Sequence, residues 1–61
     1  MGNERWHAVI YFRDGHKQEC AYSNDEMSTE RTAQQIYDQA MRTAINSFFE
    51  PTRMAVVKDE D

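Results

Sequence analysis

Ala33, Ile36, Tyr37, Ala40, Met41, Ala44, Ile45 and Phe48 recur at three- and four-residue spacing, and this stripe restricts the fold more than any other feature. Arg31, Gln34, Gln35, Asp38, Arg42 and Asn46 fill the opposite side. The pattern predicts an amphipathic helix of about six turns with a single apolar face. Ser28 is the expected N-cap, Thr29 and Glu30 occupy the first turn, and Pro51 stops the helix, giving bounds of about 28–49. A helix with one apolar stripe must lay it on another element. The short flanking stretches have to supply that element.

They read as strands. Residues 6–12, Trp-His-Ala-Val-Ile-Tyr-Phe, are apolar on both alternating sets and rich in β-branched and aromatic side chains, as a central strand is. Asp14-Gly15 follows, a strong hairpin signal between two extended runs. Residues 16–22 are more polar and carry Lys17 and Glu19, as an edge strand does. A third strand is expected over about 53–58, around Met54-Ala55-Val56-Val57, with an unpacked acidic tail at 59–61. The expected fold is α+β, ββαβ in one domain: a three-stranded antiparallel sheet in order 2-1-3 with the helix across one face.

Two hairpin registers are open. A two-residue turn at Asp14-Gly15 pairs Arg13 with His16 and puts Val9 and Tyr11 on the face of Cys20 and Tyr22. A three-residue turn over 13–15 with Gly15 left-handed pairs Phe12 with His16. Trp6, Ala8, Ile10 and Phe12 then share a face with Gln18, Cys20 and Tyr22. The second register gathers the larger apolar set and is the one expected.

Size limits what such a chain can do. At 61 residues and 7.2 kDa, only about 60% of the unfolded chain's surface can be buried, enough for one small core. The 39% apolar share contains no leucine, so that core is thin. Formal charge is −4, and the seven basic residues are scattered, which argues against holding duplex nucleic acid through a basic patch. One cysteine excludes an internal disulfide. No apolar run approaches a membrane span and no leader opens the chain, so a cytoplasmic location is expected.

Catalytic constellations are missing. His7, His16 and Cys20 do not share a strand face or a ligand spacing. Cys20 sits mid-strand, away from the helix N-terminus that could activate a thiol. Two glycines cannot build a phosphate loop. Neither enzymatic activity, nor a metal, nor a cofactor is expected.

Binding is the remaining class. His7, Val9 and Tyr11 are expected on the sheet face away from the helix, where one helix cannot reach. That face meets water or a partner, and a homodimer through it would relieve the shortage of core. Phe48 and Phe49 cannot both face inward, so Phe49 is a further contact candidate. Asp25, Glu26 and Glu30, with Asp59, Glu60 and Asp61, form two acidic sets. They serve either as a solvated helix start and tail, or as a phosphate-like surface toward a nucleic-acid-binding enzyme.

The layout resembles small phage-encoded inhibitors, among them the RNA polymerase inhibitors of T7-like podophages. The similar features are the Trp6-x-Ala8 opening, a short polar hairpin, Tyr22 at the end of the second strand, an acidic loop, an Ala33–Ala40–Ala44 helix and a final valine-containing strand, over about residues 5–57. The resemblance implies a bacterial-host setting and a protein that occupies the surface of a host or defence protein, of the RNA polymerase or of a CRISPR or other nuclease-effector class. It also implies a sheet edge, charged side chains and no cofactor. The loop chemistry and the acidic tail depart from that pattern, so no residue role is carried over. The expected function is therefore a non-enzymatic, protein-binding inhibitor module; the alternative is a small nucleic-acid-binding regulator.

Overall fold

Gly15 carries the left-handed backbone, φ +103°, on which the hairpin turns. Phe12 donates its N–H to the His16 carbonyl at 2.9 Å, and Gly15 donates to the Phe12 carbonyl at 3.0 Å. Residues 13–15 thus form a three-residue turn closed by Phe12 and His16, with glycine where a side chain would be strained. Asp14 accepts the His16 N–H at 3.1 Å and also bonds the His16 ring. The backbone bond, more than the ring, lowers the Asp14 carboxyl below its ordinary range. The His16 ring in turn lies flat on Phe12, centroids 4.6 Å apart.

The computed structural model describes residues 4–44 and 49–59. Its elements are β1 (Trp6–Phe12), β2 (Lys17–Ser23), α1 (Glu26–Thr43) and β3 (Pro51–Lys58). The sheet is antiparallel throughout, in the order β2-β1-β3, as the sequence led one to expect. From the turn, Tyr11 lies opposite Lys17, Ile10 opposite Gln18, Val9 opposite Glu19 and Ala8 opposite Cys20. This is the three-residue-turn register.

That register breaks near the far end of β2. Trp6 lies opposite Ser23, one residue out of step with the Ala8–Cys20 pair, and Ala21 takes φ +60°. An extra residue reverses the side-chain alternation beyond it. Ala21 therefore packs against the core, while Tyr22, expected beside Cys20 on the helix side, is 57% exposed and stacks on His7. A strict period of two cannot anticipate this reversal.

Helix α1 begins earlier than expected because Asp25, not Ser28, is its N-cap. The Asp25 carboxylate accepts the Ser28 N–H at 2.6 Å and the Ser28 hydroxyl at 3.2 Å. Thr29 is fully buried, and its hydroxyl donates to the Asp25 carbonyl at 2.8 Å while meeting Ser23 Oγ at 2.5 Å. These bonds satisfy an N–H of the exposed first turn and the hydroxyl of buried Thr29. The helix ends at Thr43, short of the expected 49, since Ala44 leaves helical geometry (ψ 88°). Residues 45–48 of the expected helix, Ile45 and Phe48 included, lie outside the described residues.

The core lies between α1 and one sheet face. Ala8, Ile10, Cys20 and Ala33 are its buried centre, with Phe12, Ala21, Ile36, Tyr37, Met54 and Val56 packed around them. Ala8 and Ala33 are wholly buried, and two small side chains let helix and strand approach closely. The Tyr37 hydroxyl donates to the Pro51 carbonyl at 3.2 Å, fixing α1 to the start of β3. Trp6, expected to share this core, is half-buried at the end of β1 and lies outside the cluster.

Candidate protein-binding face

Antiparallel pairing decides which residues share the other face of the sheet. Val57, Ala55 and Arg53 of β3 lie directly opposite His7, Val9 and Tyr11, and on the β2 side Glu19 and Lys17 lie opposite Val9 and Tyr11. Directly opposed residues point the same way, so these side chains stand together, away from the helix. Val9, in the middle of this face, is only 7% exposed and lies between Glu19 of β2 and Ala55 of β3. The face thus has an apolar middle and a charged rim.

Its two ends differ in sign. At the hairpin end the Arg53 guanidinium lies 3.9 Å from the centre of the Tyr11 ring, a cation–π contact, with Lys17 across the sheet. At the other end His7 Nδ1 meets Asp59 Oδ1 at 2.5 Å, and Tyr22, stacked on His7, donates its hydroxyl to Glu19 at 3.0 Å. The bond to Glu19 is the chief cause that raises the Tyr22 phenol above its ordinary range, with the charges of Glu19 and Asp59 adding to it.

Asp59 corrects the expectation of an unpacked tail. Its N–H donates to the Arg5 carbonyl at 2.7 Å, continuing the β1–β3 ladder one residue past the strand, and its carboxylate is held by His7. Glu60 and Asp61 lie outside the described residues. Asp25 is occupied as the helix cap, with Ser28 lowering its carboxyl below the ordinary range, so it is not an unengaged surface charge. Glu26 and Glu30 are exposed on α1. Both β2 and β3 end beside Trp6, which brings the loop carrying Asp25 and the segment carrying Asp59 to the same end of the sheet. Phe49 is 62% exposed in the connection between α1 and β3, outside the ladder that forms the open face.

His7, Val9 and Tyr11 stand together as expected, and the sequence reading missed the rest of the face. Arg53, Ala55 and Val57 could have been found, since they alternate with the core-facing Met54 and Val56. Nothing in the sequence marked Tyr22, whose position depends on the backbone at Ala21.

Cys20 is buried on the helix side, where loss of solvent raises its thiol above the ordinary range and keeps it protonated. Among the described residues no three His, Cys, Asp or Glu side chains are grouped to hold a metal ion, and no helix is long and apolar enough to cross a membrane. No family model matches the chain, and no characterised protein or solved structure matches it.

Proposed function

We propose that this chain is a non-enzymatic protein-binding module that presents its open sheet face to a partner. We further propose that it is a phage or mobile-element inhibitor, working in the bacterial cytoplasm by covering a surface of a host or defence protein of the RNA polymerase or nuclease-effector class. One observation carries the reading: Tyr11, Val9, Ala55 and Val57 form an apolar centre on rigid paired strands, rimmed by Arg53, Lys17, Glu19 and Asp59. A pre-ordered face with an aromatic centre and a polar rim has the anatomy of a protein interface, and its rigidity lowers the ordering cost of binding. The two-signed rim gives such a face orientation on its partner.

The test is direct titration into transcription by a bacterial RNA polymerase and into target cleavage by an RNA-guided nuclease. Inhibition of either enzyme should be stoichiometric. Tyr11→Ser, which removes the aromatic ring at the hairpin end of the face, should weaken that inhibition about 30-fold or more, the effect of losing an interface anchor. Inhibition unchanged by both Tyr11→Ser and Val57→Lys would remove the open face from consideration. No effect on either enzyme would remove the two target classes.

A further inference from the structure

The two edges of the sheet are built differently. The β2 edge is interrupted by the left-handed Ala21 and carries Lys17 and Glu19, features that discourage strand pairing. The β3 edge has its irregularity at one end, where the register slips between Tyr11 and Phe12, and runs regularly from Arg53 to Lys58 through Met54-Ala55-Val56-Val57. An uninterrupted apolar edge is a template for another strand.

The backbone bonds say which groups that edge offers. Asp59 donates to the Arg5 carbonyl, so the pairs that exchange bonds with β1 are the odd-numbered ones, including Val57 with His7 and Ala55 with Val9. Met54, Val56 and Lys58 therefore direct their N–H and C=O groups away from β1. We infer that these groups pair with the same strand of a second copy, antiparallel about a two-fold axis at Val56, joining two sheets into one.

Parity and charge fix this register. A bonded antiparallel pair must match outward-facing residues with each other, so shifts by one residue are excluded. With Val56 opposite Val56, Met54 meets Lys58 of the second copy, Ala55 meets Val57, and Arg53 meets Asp59. Arg53 and Asp59 both stand on the open face, and their opposite charges are adjacent across the new ladder. His7 engages only Oδ1 of Asp59, leaving the other oxygen for the guanidinium. The neighbouring permitted registers set Ala55 against Ala55 with Arg53 against Val57, or Val57 against Val57 with Asp59 against Ala55. Neither opposes two charges of the described residues. The pairing adds about six backbone bonds. It covers less area than the roughly 1,600 Å² of a standard interface, so the association is weak and concentration-dependent. This inference stands apart from the proposed function, because an edge dimer leaves the open face uncovered.

Sedimentation equilibrium up to about 1 mM should give a monomer–dimer equilibrium. Arg53→Asp should weaken dimerisation at least tenfold, and adding Asp59→Arg should restore it. Ala55→Cys with Val57→Cys should oxidise to a covalent dimer, since such opposed residues are about 4.5 Å apart at Cα, within disulfide reach. Ala55→Cys alone should not. Cross-linking by Ala55→Cys alone would overturn the register. For the unaltered chain, amide exchange at Met54, Val56 and Lys58 should slow as concentration rises. A chain that stays monomeric, with exchange at those three amides independent of concentration, would overturn the pairing and leave the edge to a strand of some other protein.

Discussion

Tyr22 stacks on His7, ring centroids 5.4 Å apart and planes 20° from parallel, although alternation along β2 would place it on the opposite side of the sheet. Ala21 causes the reversal by taking φ +60°, a conformation that costs a residue with a β-carbon about 1–2 kcal/mol. Bulk at that β-carbon raises the cost. Ala21→Val should destabilise the fold by about 2 kcal/mol, from left-handed strain on a β-branched residue. It should also release Tyr22 from His7. Chemical denaturation measures the first effect and ring chemical shifts the second; a fully tolerated valine would mean that β2 runs without the reversal.

The Tyr22–Glu19 bond gives the same region a pH dependence. The neutral phenol donates to Glu19, and this raises its ionisation above the ordinary tyrosine value of 10.0. A raised acid contributes stability that is fully present below its unfolded value and is lost as pH rises through the native one. Ultraviolet titration should therefore find a late-ionising phenol that Tyr22→Phe removes, and the variant's stability should fall less steeply on the alkaline side.

Asp25 predicts the opposite limb. Its carboxyl is lowered chiefly by the Ser28 N–H, so its contribution is present above the unfolded value of 3.8 and is lost as pH falls through the lower native one. Asp25→Ala should reduce the melting temperature at neutral pH and flatten the acid limb. Asp25→Asn keeps an accepting oxygen and should cost much less at neutral pH. Melting curves across the acid range check both.

Asp59 ties the end of β3 to two points on the N-terminal side of β1. Asp59→Ala removes the carboxylate held by His7 but keeps the N–H that reaches Arg5. A partly exposed bond of this kind is worth about 1 kcal/mol. The substitution should lower stability by that amount and speed amide exchange at the Trp6 end of the sheet, while exchange near the hairpin stays as it was. Uniform exchange changes, or none, would mean that the contact does not hold that end.

The strand order, the hairpin register and the Ala33–Ile36–Tyr37 part of the helix face were legible because each rests on periodicity or on turn chemistry. Met41 of the same expected stripe is 40% exposed and outside the core. Gly15 admits a left-handed turn, and the apolar set at Ala8, Ile10 and Phe12 then has a single useful partner set on β2. Side-chain exchanges within short segments were not legible. Asp25 and Ser28 are both good caps by residue type, and the difference lies in which carboxylate or hydroxyl reaches the other's N–H. Tyr22 and Asp59 failed for a related reason: one depends on a single φ angle, the other on a contact with His7 far away in the chain. The open face was therefore half visible, its β1 residues named and its β2 and β3 flanks missed.

Ile10 and Tyr11 are neighbours in β1 and face opposite sides of the sheet, so variants of the two separate the core from the face proposed to bind. Ile10 is 1% exposed at the centre of the core, and Ile10→Ala should cost about 2–5 kcal/mol through lost burial and an unfilled cavity. A small core without leucine has little stability in reserve, so this variant should be largely unfolded at ambient temperature. Tyr11 is half-buried on the open face, its ring under Arg53, and Tyr11→Ser should cost only about 1 kcal/mol. Paired denaturation curves decide between the faces. A folded Ile10→Ala beside an unfolded Tyr11→Ser would put the core on the wrong side of the sheet, and the binding role proposed for Tyr11 would fall with it.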